Sequence, residues 1–183
     1  MRNTLFASAA VAVMALSAPA GAVTMYVLGG PSGECYDAAR DQRGDNQALQ
    51  ACTDSLNQEM LSAEGRASTL VNRGIVYLNR GDVGHAMADF EEAIRLEPTM
   101  AEGYTNRGLV LLRQENYQGA ITEISRGLEL NPVEPEKAYY NRAVAYEELR
   151  NIRAAYNDYR RAAELAPAWN VPSEELTRFR VGR

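Results

Sequence analysis

The feature that most constrains this chain is a stretch of 29 residues that occurs three times. The copies read LVNRGIVYLNRGDVGHAMADFEEAIRLEP (70–98), YTNRGLVLLRQENYQGAITEISRGLELNP (104–132) and YYNRAVAYEELRNIRAAYNDYRRAAELAP (139–167). Their closing prolines, Pro98, Pro132 and Pro167, lie 34 and then 35 residues apart. A period of this length is typical of stacked two-helix units, in which each unit buries its apolar face against the next. The chain is therefore predicted to be all-α.

Small and apolar residues recur within each copy at spacings of four and three residues. The first helix of each copy carries such a set at Leu70, Gly74 and Tyr77, then at Tyr104, Gly108 and Leu111, then at Tyr139, Ala143 and Tyr146; the second helix carries one at Ala86, Phe90 and Ala93, then at Ala120, Ile124 and Gly127, then at Ala155, Tyr159 and Ala162. These spacings place each set on one face of a helix. Small residues there allow two helix backbones to approach closely, and the closing proline ends the second helix.

The repeats resemble the tetratricopeptide repeat (TPR) family, of an exported bacterial type, from about Ala67 to Trp169. The resemblance implies a solenoid of antiparallel helix hairpins. It divides the chain into a signal peptide (1–22), a lead-in and degenerate helical hairpin (23–66), three repeats (67–100, 101–134 and 136–169), and a capping helix with a tail (170–183). In the opening hairpin Ala48 aligns with Ala86, and in the tail Leu176 and Phe179 are expected to cover the last repeat.

The first 22 residues are typical of a secretory signal peptide. Arg2 supplies a positive charge, Leu5–Leu16 is apolar, and small residues follow up to Ala22. The apolar run is short for a membrane span. We expect cleavage after Ala20 or Ala22, export with the periplasm as the destination, and no stable membrane insertion afterwards. An uncleaved membrane anchor is the alternative.

Two cysteines, Cys35 and Cys52, precede the clear repeats. An even number of cysteines in an exported chain favours a structural disulfide. Aligned on the TPR pattern, the two residues fall on the two helices of one hairpin. Two buried free thiols are the alternative. The spacing is not that of a redox C-x-x-C pair, and two cysteines without a nearby histidine are a poor zinc site.

Charge and composition exclude several classes of function. The formal net charge is −5 and the pI is about 5.0, which argues against a general nucleic-acid binder. The single histidine excludes most acid–base dyads. The sequence contains neither a P-loop nor a dinucleotide fingerprint nor a nucleophile elbow. We therefore predict no catalytic residue, no metal site and no cofactor.

Each repeat carries an arginine on its first helix and an acid on its second. The pairs are Arg73 with Asp89, Arg107 with Glu123, and Arg142 with Asp158. Because both charges occur at the same two places in every unit, three structural ion pairs within the hairpins are predicted. Such pairs contribute little when exposed and more when partly buried.

The family resemblance also implies a concave groove with an asparagine in every repeat. These asparagines are Asn72, Asn106 and Asn141, and the other predicted groove residues are Ile75, Leu109, Lys137, Tyr140 and Val144. An amide both donates and accepts hydrogen bonds, which suits a peptide backbone. The alternative is that the same asparagines cap or pack the helices.

The best-known groove of this family clamps a C-terminal carboxylate with lysine, arginine and asparagine. Here Asn106 and Lys137 match that clamp, whereas Val71, Ile75 and Asn141 do not. We therefore expect a less charged and partly apolar ligand.

The sequence predicts a non-enzymatic interaction module that holds a peptide or helix of a partner protein in the groove. Two alternatives remain open at this point. One is a self-associating structural protein of the cell envelope, such as a homodimer. The other is a thiol-exchange enzyme that uses Cys35 and Cys52.

Overall fold

The computed structural model describes residues 30–179, which contain nine α-helices and no strand. The helices are α1 (Pro31–Arg40), α2 (Asn46–Gln58), α3 (Ala63–Arg80), α4 (Val83–Leu96), α5 (Ala101–Arg113), α6 (Tyr117–Glu129), α7 (Pro135–Glu148), α8 (Ile152–Leu165) and α9 (Val171–Leu176). The predicted signal peptide, the lead-in up to residue 29 and the last four residues lie outside the described range. The fold is a solenoid of antiparallel helix hairpins, as predicted.

The second helix of each repeat begins at a side-chain cap. Asp82, Asn116 and Asn151 precede α4, α6 and α8, and the side chain of each accepts a hydrogen bond from the backbone N–H three residues later, at 3.2, 3.1 and 3.3 Å. Such caps satisfy one of the N–H groups that a helix start leaves without a partner. They fix where each hairpin turns.

Glycine allows the two helices of a repeat to approach closely. A Cβ atom at Gly74 would lie 2.4 Å from the Phe90 ring, and one at Gly108 would lie 2.5 Å from Cγ1 of Ile124. Neither distance is sterically possible. The large apolar residue of the second helix therefore occupies the space that the missing side chain leaves.

The opening hairpin of α1 and α2 packs on α3. The structure joins Cys35 and Cys52 across it, with a sulfur–sulfur distance of 2.05 Å, and buries both residues completely. Ala38 and Ala48 are buried beside them. In the alignment that matches Ala48 with Ala86, Cys52 takes the position of Phe90, the large apolar core residue of the first clear repeat.

The helix α9 and its flanking residues cover the last repeat. The Phe179 ring lies 5.8 Å from the ring of Tyr159, and Trp169 lies 5.1 Å from Tyr140. Arg178 donates two hydrogen bonds to the Glu147 carboxylate, at 3.0 and 2.9 Å. The apolar end of the solenoid is thereby covered, as a terminal repeat requires. No helix in the range 30–179 has the length and apolar character needed to cross a membrane.

Candidate functional site

One face of α5 is turned away from the second helices of the repeats. Gly103 of α5 lies against Ile94 of α4, and Gly108 lies against Ile124 of α6, on different sides of the helix. The remaining face of α5, which meets neither α4 nor α6, carries Glu102, Asn106 and Leu109 at spacings of four and three residues. Residues at the corresponding positions of α3 and α7 have the same spacings. We call these residues the concave stripe: Ser68, Asn72, Ile75, Glu102, Asn106, Leu109, Lys137, Asn141 and Val144.

The structure buries the apolar centre of the concave stripe. Ile75 is 1% exposed, Leu109 is 0% exposed and Val144 is 5% exposed. The sequence predicts these residues on an open groove, so their enclosure differs from that expectation. Among the described helices, α5 packs mainly on α6 and α4, and it makes weaker contacts with α3 and α7.

The three asparagines of the stripe are also buried, with exposures of 6% for Asn72, 3% for Asn106 and 2% for Asn141. Asn106 uses its amide locally, because its Nδ2 donates to the carbonyl oxygen of Glu102, one turn earlier, at 2.9 Å. Asn106 therefore hydrogen-bonds within its own helix, as in the alternative that these asparagines cap or pack the helices.

Asn72 differs from Asn106. Its Oδ1 is buried without a hydrogen-bond partner, and so is Oγ of Ser68, one turn away on α3. A buried polar atom without a partner costs about 1–3 kcal/mol. Two such atoms on adjacent turns identify the α3 part of the stripe as a place where a donor and an acceptor from another segment would be stabilising.

A cleft lies between the starts of α5 and α7. Its lining includes Glu102, Thr105, Pro132, Glu134 and Lys137. Nζ of Lys137 lies 2.5 Å from Oε1 of Glu134, while the Val133 N–H donates to Oε1 of Glu102 at 3.0 Å. Oε2 of Glu134 is buried without a partner, and burial raises the pKa of this carboxyl.

The repeat pattern of the sequence does not predict these acidic neighbours of Lys137. Glu134 belongs to the short connection before α7, where the repeat period lengthens from 34 to 35 residues. The extra residue is the sequence feature that could have indicated these acidic neighbours, since it makes this connection differ from those of the other repeats.

Tyr140 is the predicted groove residue that contacts the C-terminal cap. The structure places its ring in the packing under the C-terminal cap, 5.4 Å from the ring of Tyr159 and 5.1 Å from Trp169. Burial raises its pKa to about 12.

The arginines and acids of the hairpins lie in contact in all three repeats. The closest distances are 2.7 Å for Arg73 with Asp89, 2.6 Å for Arg107 with Glu123, and 2.7 Å for Arg142 with Asp158. Each guanidinium also lies within 6 Å of the centre of a tyrosine ring, at Tyr77, Tyr104 and Tyr139. These charges belong to the scaffold behind the stripe.

Comparison with known proteins agrees with this architecture. Family models described as tetratricopeptide repeat match residues 67–100, 101–134 and 136–168, which together make up more than half of the chain. The chain therefore belongs to the tetratricopeptide repeat family.

Two curated relatives illustrate the range of proteins that share these repeats. Human serine/threonine-protein phosphatase 5 is 30% identical over 143 residues, which are 78% of this chain and 26% of the relative. The lipoprotein NlpI homolog of Haemophilus influenzae is 39% identical over 71 residues, which are 39% of this chain and 23% of the relative. The chain thus spans about a quarter of the length of either protein.

Solved structures with the same fold include a peptide complex. The first TPR domain of human RPAP3 is 26% identical, with a TM-score of 0.58 over 62% of this chain and 88% of that one. The first TPR of Spaghetti (RPAP3), bound to an HSP90 peptide, has the same identity and TM-score and covers 62% of this chain and 91% of that one. A crystal structure of MamA, at 22% identity, has a TM-score of 0.59 over 72% of this chain and 74% of its own.

Proposed function

We propose that this chain is a non-enzymatic protein-binding module, exported to the periplasm, that holds an extended apolar segment of a partner protein across its concave stripe. The observation that carries the proposal is the unpartnered Oδ1 of Asn72, buried beside Ile75 at the start of an apolar stripe. An extended backbone brings N–H groups to such an acceptor, and its side chains can contact the apolar centre.

The chemistry of the stripe fits this kind of ligand. Ile75, Leu109 and Val144 form an apolar centre at corresponding positions of three successive repeats. Ser68 and Asn72 add polar atoms on one side, so that backbone contacts give affinity and apolar contacts give specificity. The related RPAP3 domain is solved with a peptide bound, which supports a peptide ligand for a domain of this fold.

A free C-terminal carboxylate is a poor ligand for this surface. Lys137, which matches one residue of the carboxylate clamp, lies 2.5 Å from Glu134. Glu102 lines the same cleft. A ligand carboxylate would meet two acids beside the single lysine, and like charges at short range disfavour each other. The surface therefore favours an uncharged segment over an acidic terminus.

Export is supported by the leader-like first 22 residues and by the opening hairpin. Both cysteines are 0% exposed and bonded to each other, which suits a structural disulfide of an oxidising compartment. Thiol exchange needs access of an attacking thiolate to a sulfur atom. Complete burial of Cys35 and Cys52 opposes that access, so the proposal gives them a structural role.

The experiment that tests the proposal is a crosslinked pull-down from the envelope fraction of the exporting cell. Wild type is compared with the variant in which Asn72, Asn106 and Asn141 are all changed to alanine. We expect specific partners with wild type and their loss with the variant. Far-ultraviolet circular dichroism and a thermal melt establish that the variant is folded before it is used.

The matched control removes three exposed amides from the second and third repeats. Gln114, Gln118 and Asn157 are exposed, and their change to alanine should leave partner capture unchanged. Equal capture by wild type and by a folded stripe variant would contradict the proposal, since the binding surface would then lie elsewhere.

A further inference from the structure

Arg113, the last residue of α5, lies on the same face of that helix as the concave stripe. The residues Glu102, Asn106, Leu109 and Arg113 follow one another at spacings of four, three and four. Such spacings keep side chains on one face of a helix. The face of α5 that carries the stripe therefore begins with an acid, Glu102, and ends with a cation, Arg113.

The guanidinium of Arg113 is partly buried and has no acidic partner. Its Nη1 donates to the carbonyl oxygen of Leu78 on α3, at 2.9 Å, and within residues 30–179 it forms no ion pair. Burial lowers the pKa of Arg113, and no neighbouring carboxylate acts against that shift. The charge is thus held partly out of water without a compensating opposite charge, which is unfavourable.

The other partly buried arginines of α3, α5 and α7 are all paired. Arg73, Arg107 and Arg142 each lie within 2.7 Å of an acid on the second helix of their own repeat. In the Arg142 pair, Nε and Nη2 donate to the two oxygens of the Asp158 carboxylate. Arg113 differs from these arginines in that the chain does not supply its acid.

The contact with Leu78 leaves most of the guanidinium available. A guanidinium has five N–H groups, and a helix-end carbonyl takes one of them. Nε and Nη2 of Arg113 form no hydrogen bond with the described residues and are accessible to solvent. These two nitrogens form the edge that binds a carboxylate with two parallel hydrogen bonds.

We propose that Arg113 determines ligand specificity by binding an acidic side chain within the partner's extended segment. The inference rests on the proposed function and names the chemistry of the ligand at the same site. The acid completes an ion pair of the kind that the chain itself forms at Arg142. It also compensates a charge that the free protein leaves partly desolvated.

The opposite end of α5 disfavours an acid, so the position of this side chain in the segment is fixed. Glu102 lines the cleft together with Glu134 and Lys137. Glu102 and Arg113 are eleven residues apart, which is about 16 Å along a helix. A ligand carboxylate near Arg113 therefore avoids the two acids of the cleft, whereas one beside Lys137 does not.

Selection from a phage-displayed library of random peptides tests the preference. The peptides are joined to the coat protein through their C-terminal ends, so any selected acid is a side chain and not a terminal carboxylate. Peptides that bind the full wild-type chain should share one Asp or Glu. Arg113→Gln should select peptides without it, and Arg113→Glu should select Lys or Arg instead. The same acid preference in all three proteins, or in none of them, would overturn the inference.

A synthetic copy of a selected peptide, amidated at its C-terminus, measures the pair directly. Replacing its acid by the corresponding amide should weaken binding to wild type about tenfold, as expected for a partly exposed charge-assisted hydrogen bond. The same replacement should not change binding to Arg113→Gln. The matched control Arg153→Gln removes an exposed arginine of α8 and should behave like wild type. An equal loss with wild type and with Arg113→Gln would contradict direct contact.

The charge reversal separates recognition from a structural role of Arg113. Loss of the bond to Leu78 can lower the stability of any Arg113 variant, and urea denaturation measures that effect. A lower stability weakens all peptides alike. A switch of Arg113→Glu to basic peptides requires contact between residue 113 and the ligand, so a folded variant without that switch would count against the proposal.

These outcomes are distinct from those that test the proposed function. If the selected peptides lose binding to the variant without Asn72, Asn106 and Asn141 but share no acid, the role of Arg113 is wrong and the binding function stands. If no peptide is enriched, or if the enriched peptides bind that variant as well as wild type, the proposed function is wrong.

Discussion

Arg142 and Asp158 face each other across the α7–α8 hairpin with two parallel hydrogen bonds, of 2.7 Å from Nε and 3.0 Å from Nη2. Both side chains are largely buried, with exposures of 18% and 10%. Arg142 also donates to Oγ of Ser125 on α6, at 2.9 Å, which connects the last repeat to the one before it. One arginine thus holds a hairpin closed and links it to its neighbour.

Removing this arginine should be strongly destabilising. The Arg142→Ala variant leaves the Asp158 carboxylate buried without its partner, and breaking a buried pair in this way costs about 3 kcal/mol. Urea denaturation monitored by circular dichroism measures the loss. Adding Asp158→Asn to the variant should recover part of it, because the uncompensated charge is then removed.

The matched control is an exposed ion pair on α8, the helix that carries Asp158. Arg161 and Glu164 are 3.3 Å apart and each is 51% exposed. Arg161→Ala should cost no more than about 0.5 kcal/mol. Similar losses for Arg142→Ala and Arg161→Ala would show that burial of the first pair has no energetic consequence.

The Cys35–Cys52 bond should stabilise the opening hairpin in particular. The two residues are 17 positions apart, and closing a loop of that size contributes about 3 kcal/mol in the chain-entropy model. The double variant Cys35→Ala and Cys52→Ala should therefore lose protection of α1 and α2 in hydrogen exchange, while α5 to α8 keep theirs. Equal mobility of wild type on reducing and non-reducing gels, with two titratable thiols, would contradict the bond itself.

Close helix packing should make Gly108 intolerant of even one added methyl group. In Gly108→Ala, the new Cβ lies 2.5 Å from Ile124 and 3.2 Å from the carbonyl oxygen of Ala120, so the hairpin must open. We expect a loss of about 1–3 kcal/mol. Gly84 is the control, since a Cβ there meets nothing closer than 3.9 Å. Gly84→Ala should stabilise by about 0.5 kcal/mol through helix propensity, and a loss at both positions would remove the packing explanation.

The raised pKa of Glu134 predicts a pH dependence of stability. Burial favours the protonated carboxyl in the folded protein, so the contribution of this group to stability is largest at acid pH and falls as pH rises from about 4.3, the usual value for Glu, through the raised pKa. Glu134→Gln should be more stable than wild type above this window, and the difference should vanish below it. Parallel stability curves for the two proteins across this pH range would contradict the assignment.

The sequence was sufficient to predict the helices and the pairs between them because these features repeat. Asp82, Asn116 and Asn151 stand at the same position of the three repeats, at the turn between the two helices. A residue type that recurs in this way predicts the local structure more reliably than a single occurrence does. Cys35 and Cys52 could be placed on one hairpin for the same reason, although their own repeat is degenerate. A pattern that recurs in every repeat predicts the contacts that every repeat makes.

Features that occur once were not predictable in this way. Tyr140 lies under Trp169 because the array ends there, which the pattern within a repeat does not encode. The acidic surrounding of Lys137 comes from Glu134, in a connection that only one repeat has. Three turns that follow a helix place Gln42, Glu115 and Arg150 at φ of 56°, 61° and 58°, a backbone conformation that glycine usually adopts. Because none of these residues is glycine, the sequence does not indicate these helix ends.

Each repeat in this solenoid packs mainly on the repeats next to it, and the concave stripe draws one row of residues from each. A small rotation of each repeat relative to the next therefore accumulates along the solenoid and changes its curvature. The spacing between Ile75 and Val144 can change without breaking any hairpin. Links such as Arg142 with Ser125 limit this change, and under the proposed function they would set the width of the ligand that fits between the two residues.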